Sequence, residues 1–235
     1  MPSGSHSLAF ALVTLISAAL PAPVAAQTPP LLRDPEPSAL PRAPERPRAP
    51  IELVPKAVVS LPICRSGSDS ERCASLGPGF GPELAAFYRP NAYFAFGGTF
   101  GYSHAAGSFS GGALSSSVIE GSLVGRVYLL EQGAFDPYLE AFIGWASERM
   151  TLAWPSGYTD VDSAFGPFGR AGGGVDWFVA AGVKLGVFGA FDELVFVGGA
   201  RCRAGQCATG AVPSSMLRGS VTLGFGVSVL FGDSL

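Results

Sequence analysis

The residues best suited to nucleophilic chemistry are a histidine among serines and a carboxylate on a separate segment. His104 follows Ser103 and precedes Ser108, and Glu148 falls at a similar height on another segment. Such a set could supply a base, a nucleophile and an orienting acid for a lipid-modifying hydrolase or acylase. No catalytic motif accompanies His104, so the simpler expectation is a solvated loop histidine in a protein that is not an enzyme. The run GRAGGG over 169–174 invites a phosphate-loop reading. It lacks the required spacing and sits inside an alternating segment instead of between a strand and a helix, which argues against nucleotide binding. Four cysteines stand as two local pairs, Cys64 with Cys73 and Cys202 with Cys207. The spacings do not fit a zinc knuckle, and His104 is the one histidine beyond the apolar leader, so neither a metal nor a cofactor is expected. Four cysteines allow three connectivities. Short loops close at the least entropic cost, which favours the disulfides Cys64–Cys73 and Cys202–Cys207 in an oxidising compartment.

Period-two segments must position these residues. Over 92–104, Phe94, Phe96, Phe100 and Tyr102 share one face, while Ala95, Gly97, Thr99, Gly101 and Ser103 share the other. Over 217–231, Leu217, Val221, Leu223, Phe225, Val227, Val229 and Phe231 oppose Arg218, Ser220, Thr222, Gly224, Gly226 and Ser228. This is strand alternation. Segments 117–130, 138–148, 168–179 and 182–191 read alike, as do 83–88 and, with Pro55 suited to an edge or a strand start, 51–61. Residues 194–199 either continue the 182–191 strand or form a separate one. The connections alternate between short ones near 90–91, 131–136 and 180–181 and long ones over 62–76, 104–116, 150–165 and 200–214.

Composition then fixes the solvent. Hydrophobic residues make up 48% and charged residues 14% of the 235, whereas a water-facing domain carries roughly 25–35% charge on its surface. No apolar run after the leader reaches the ~18–20 residues of a membrane helix. A membrane chain without membrane helices leaves the closed β-barrel, because lipid satisfies no free backbone group. The charged residues Glu52, Lys56, Glu83, Glu120, Arg126, Glu140, Glu148, Arg170, Asp176, Lys184 and Arg218 share faces with glycine, serine and alanine. Charge on the lipid side costs about 2–4 kcal/mol per Lys or Arg at mid-membrane. The expectation is therefore a lumen charge network of Glu120, Arg126, Glu140, Glu148, Arg170, Asp176, Lys184 and Arg218, ion-paired and plugging an eight-stranded barrel. A narrow pore is the lesser option. Tyr88, Tyr102, Trp145 and Trp177 lie near strand ends, where aromatic girdles form. The formal net charge of −3 argues against nucleic acid.

Ahead of the barrel, the apolar stretch over 8–20 followed by Val24, Ala25 and Ala26 predicts a cleaved signal peptide over 1–26. Eight prolines mixed with charges over 27–50 predict a disordered tether. The segments AYFAFGGTFGYSH, RAGGGVDWFVAAGVKLGVFGAF and GSVTLGFGVSVLFG resemble the OmpA-like and OmpX-like small outer-membrane barrels of Gram-negative bacteria. That resemblance covers about 51–231. It implies an all-β, eight-stranded antiparallel up-and-down transmembrane barrel spanning 51–235 in the outer membrane. It also implies contact with membrane lipid and lipopolysaccharide, insertion by barrel-assembly machinery, and a structural or surface-interaction role.

Overall fold

The computed structural model describes residues 51–64, 70–130, 134–180, 182–213 and 215–232. The expected leader and tether lie outside the described residues. Alternation becomes ten strands: β1 (Ile51–Cys64), β2 (Gly79–Tyr88), β3 (Phe94–Phe109), β4 (Gly112–Tyr128), β5 (Phe135–Ala153), β6 (Thr159–Ala180), β7 (Val183–Leu194), β8 (Gly198–Arg203), β9 (Gln206–Thr209) and β10 (Leu217–Phe231). One short helix, α1 (Ser70–Ala74), follows β1. Strands β1 to β7 pair antiparallel in chain order, and β10 joins β7 to β1, closing an eight-stranded cylinder. The remaining two strands, β8 and β9, form a hairpin laid along the far end of β6.

The register fixes the tilt. From Glu193 on β7 the ladder passes through Gly169, Ile143, Leu123, Gly98, Ala86, Leu53 and Val229 and returns to β7 at Val183. The circuit comes back ten residues lower (193 − 183), a shear of ten for eight strands. With ~3.3 Å per residue and ~4.8 Å between strands, that is a tilt of about 40°.

Three expectations are corrected and one open choice, the second below, is decided. The stretches 104–116 and 150–165 are largely strand, with β3 and β4 meeting at a tight turn whose Ser110 and Gly111 have φ of 49° and 79°. Small residues there (Ala105, Ala106, Ser115, Ser116) blur the alternation that bulkier ones advertise. Second, 194–199 continues along β6. The ladder stops at Phe168↔Leu194 and resumes at Phe165↔Gly198, offset by one residue as at a bulge. Third, Pro55 lies inside a closed strand. The ladder from β1 to β10 skips Val54 and Pro55, so the missing proline N–H falls where no bond is made. Fourth, a bulge near the start of β10, where Gly219 faces Ile63 but Leu217 faces Cys64, reverses the faces of the first residues. Leu217 turns in and Arg218 turns out, opposite to simple alternation.

Candidate functional site: the lumen and the outer wall

Ten of the inward-facing charged side chains, from six strands, lie together in the middle of the cylinder. Strand β1 supplies Glu52 and Lys56, β2 Glu83, β4 Glu120 and Arg126, β5 Glu140, β6 Arg170 and Asp176, and β7 Lys184 and Asp192. Even spacing within each strand keeps them on one side. They form a continuous chain of ion pairs. Arg170 binds Glu83, Glu120 and Asp192. Glu83 also accepts from Lys56 at 2.7 Å, and the Lys56 ammonium lies 4.0 Å from Glu140. Arg126 donates to Glu140 from Nε at 3.2 Å and Nη2 at 2.9 Å. Its Nη1 lies 3.7 Å from both Glu52 and Asp176. Lys184 closes the chain at 2.8 Å from Glu52 and 3.1 Å from Asp176.

Aromatic rings fill the space between these ions, although the sequence pattern puts most bulky apolar residues on the opposite face. Phe87, Tyr128, Tyr138, Phe142, Phe168 and Phe188 are buried. The Arg126 guanidinium carbon lies 3.9 Å from the Tyr138 ring centre and 4.2 Å from that of Phe87, and the Lys56 ammonium lies 4.4 Å from that of Phe188. Such contacts suit cations withdrawn from water. Inward glycines make the room. A Cβ on Gly224 would come within 2.2 Å of the Phe188 ring, and one on Gly186 within 2.1 Å of the Asp176 carboxylate.

Toward the loop end the interior changes character. Leu114, Val118, Met150, Leu152, Phe168, Leu194, Phe196, Met216 and Leu217 form an apolar cluster with Cys73 and Leu76. The Cys64–Cys73 and Cys202–Cys207 disulfides are both present at this end. Glu148 holds the returning chain: it accepts from Ser116 Oγ at 2.8 Å and from the Leu217 amide at 2.9 Å. Asp162 accepts from Ser215 Oγ at 2.5 Å and lies 3.2 Å from Arg201, while Asp160 lies 2.8 Å from Arg203. A cavity of about 40 Å³ remains between this cluster and Arg170, bounded by Glu120, Asp192, Ser220 and Thr222 among others. At the opposite end Arg89 pairs with Asp136 at 3.1 Å.

The structure gathers Glu120, Arg126, Glu140, Arg170, Asp176 and Lys184 into the chain of ions. Glu148 faces inward but stands above it, with hydrogen-bond donors around it and no ion pair among the described residues. Arg218 is excluded: it is exposed outside the wall, 3.7 Å from an equally exposed Glu193. The residue that sequence reading misses is Asp192. It falls just past the segment 182–191, yet it shares the even register of Lys184, Gly186, Phe188 and Ala190, and that register is the signal that finds it. The hydrolytic set is not assembled. His104 lies exposed on the outer surface, with Nδ1 3.0 Å from Ser117 Oγ, while Glu148 is fully buried on the other side of the wall. No group of three metal-ligating side chains occurs among the described residues.

The outside of the cylinder is the inverse of its middle. Leu123 is 71% and Ile143 70% exposed, against 1% for Arg126 and 0% for Lys184. Aromatic residues edge this apolar face: Phe135 packs edge-on to Trp177 at one end, and Trp145 stacks on Phe165 at the other. Phe135 and Trp145 stand ten residues apart on β5 (145 − 135), which at ~3.3 Å per residue and the tilt of about 40° is about 25 Å of height. That matches the ~25 Å apolar band of outer-membrane barrels. A closed cylinder with a greasy exterior of this height and an ionic interior is an outer-membrane β-barrel.

Comparison of folds agrees. The chain is similar to a major outer membrane protein from Thermus thermophilus, with a TM-score of 0.54 and 12% identity over 77% of this chain and 99% of that one. It is also similar to Ail, the attachment invasion locus protein of Yersinia pestis, with a TM-score of 0.51 and 8% identity over 78% of this chain and 99% of that one. The same Yersinia pestis protein solved with the heparin analogue sucrose octasulfate gives a TM-score of 0.50 and 10% identity over 77% of this chain and 98% of that one. No protein-family model matches the chain, and no curated protein does.

Proposed function

We propose that this protein is a closed outer-membrane barrel with a structural or surface-interaction role, presenting its disulfide-stapled outer segments to lipopolysaccharide or to a partner at the cell surface. The observation that carries this reading is the filled lumen. Ion pairs and rings occupy the membrane-spanning part, an apolar cluster occupies the outer part, and the cavity between them is about 40 Å³, room for no more than a few waters. A solute channel needs a continuous wet path, and the ions, rings and apolar side chains packed along the axis leave little room for one among the described residues. Reconstitution into planar bilayers is expected to give no unitary conductance steps. Steady steps from folded protein would replace the reading with a narrow pore.

Catalysis is not part of the proposal. His104 has a serine beside it but no inward-facing acid can reach it through the wall, so lipid cleavage lost on His104→Ala is the result that would restore the hydrolase reading. Export through a signal peptide cut after Ala26, a tether over 27–50 and insertion by barrel-assembly machinery complete the proposed route. Sequencing the mature amino terminus should return Gln27.

A further inference from the structure

Strands β3 to β6 carry seven carboxylates: Glu120, Asp136, Glu140, Glu148, Asp160, Asp162 and Asp176. Six are buried in the interior, and Glu120 binds Arg170 there. The outer face of these four strands thus bears no acid. It bears one arginine, Arg149, which is exposed and has no ion-pair partner among the described residues. The ladder places Arg149 opposite Ser117 on β4 and Ser163 on β6, and Ser117 opposite His104 on β3. All four side chains alternate with inward ones and face out. Directly opposed residues stand ~5 Å apart at Cβ, so a guanidinium, two hydroxyls and an imidazole form one polar row across four strands.

At the barrel tilt the row climbs about 9 Å from His104 to Ser163, and the height of Arg149 within it defines its partner. On the strand side facing the bilayer the row lies one outward step beyond Tyr102, Ile119 and Phe165, and Arg149 lies two steps beyond Trp145. Four residues along β5 at the barrel tilt are about 10 Å of height, which puts Arg149 among headgroups, with a stem long enough to reach back toward the ring of Trp145. A planar guanidinium binds phosphate through two parallel hydrogen bonds, and neighbouring hydroxyls donate to the remaining oxygens.

From this juxtaposition we infer that the row of His104, Ser117, Arg149 and Ser163 is a docking strip for the phosphate of an outer-leaflet saccharide lipid, held against the barrel wall with its acyl chains on the apolar belt below. The inference deepens the surface-interaction reading and rests on its membrane orientation. It uses the wall, whereas the closed-lumen reading uses the interior, so conductance tests one and lipid retention tests the other.

The test uses the full folded chain in phosphatidylcholine nanodiscs doped with bisphosphorylated lipid A, with retained lipid counted by native mass spectrometry after detergent release. Bisphosphorylated lipid A should be retained over phosphatidylcholine, and Arg149→Gln should lower that retention about tenfold. Ser163→Glu, which sets a carboxylate beside Arg149, should lower it comparably and gives a second route should the first variant fold poorly. Arg218→Gln, on the opposite wall, should leave it unchanged. Undiminished retention by the Arg149 and Ser163 variants, equal retention of lipid A stripped of phosphate, or full displacement by millimolar inorganic phosphate would each overturn the assignment.

Discussion

The part of the barrel below Trp145 and the part above it are built from the same eight strands, yet they are inverted with respect to each other. Below, Leu123 and Ile143 face out and Arg126 and Lys184 face in. Above, Leu152 and Met216 face in, while Arg149, Ser117 and Ser163 face out. A single strand such as β5 carries both patterns without a break in pairing: Glu140 is inside and Ile143 outside, then Met150 is inside and Arg149 outside. Backbone geometry therefore does not set polarity; the surrounding medium does. In lipid the exterior must be apolar and the interior can hold charge only if it is paired. In water the exterior is polar and the interior gains from excluding water.

The largest expected effect tests the lower half. Arg126 is buried among Glu52, Glu140 and Asp176. Its replacement by Met leaves three carboxylates without their shared cation, and breaking a buried pair from one side costs about 3–5 kcal/mol. Urea unfolding in lipid vesicles, followed by tryptophan fluorescence and by gel migration before and after boiling, should show that loss. Unchanged stability would mean that water, and not ion pairing, solvates this interior. Next in size is a change to the lower exterior. Leu123→Arg should cost about 2–4 kcal/mol, whereas the same residue introduced at Ala106, on the outward face of the projecting part of β3, should cost about 0–1 kcal/mol. Equal costs would remove the boundary on which the comparison stands.

This inversion explains how much of the molecule can be read from its sequence. The membrane-spanning strands are legible because lipid enforces contrast: large apolar residues against glycine and charge, over enough residues to count. Most of the lumen ions are legible for the same reason. Above the boundary the contrast fades, since Ala105, Ser108, Ser115 and Ser117 are small on both faces, and two projecting hairpins therefore read as loops. Alternation also fails wherever a bulge resets it. Arg218 falls in the lumen only if the even register of β10 is extended past its bulge. The buried rings escape a reading that chooses the lipid face by size, because Phe188 and Phe142 find room over Gly224 and between cations. The two local disulfides need only the sequence spacing of four cysteines.

The third change tests the upper half as an ordinary water-excluding core. Leu152 is buried in the outer apolar cluster, and Leu152→Ala should cost about 3 kcal/mol. That loss should be confined to the projecting region. Amide exchange should rise over the outer ends of β4, β5 and β6, and protease should cut the returning segment before β10, while the membrane-spanning ladder stays protected. Loss of protection throughout would mean that the two halves unfold as one unit and that the inversion is only one of surface.

The smallest effect lies at the boundary itself. Arg218 and Glu193 are 3.7 Å apart and both largely exposed. A surface pair of that kind contributes under about 0.5 kcal/mol, so Arg218→Gln should leave unfolding unchanged within error. The contrast with Arg126→Met separates two arginines on the same barrel by the medium around each. If Arg218→Gln instead destabilised the barrel as strongly as Arg126→Met, its side chain would have to be inside the wall, and the bulge at the start of β10, with the reversal of faces it produces, would be wrong.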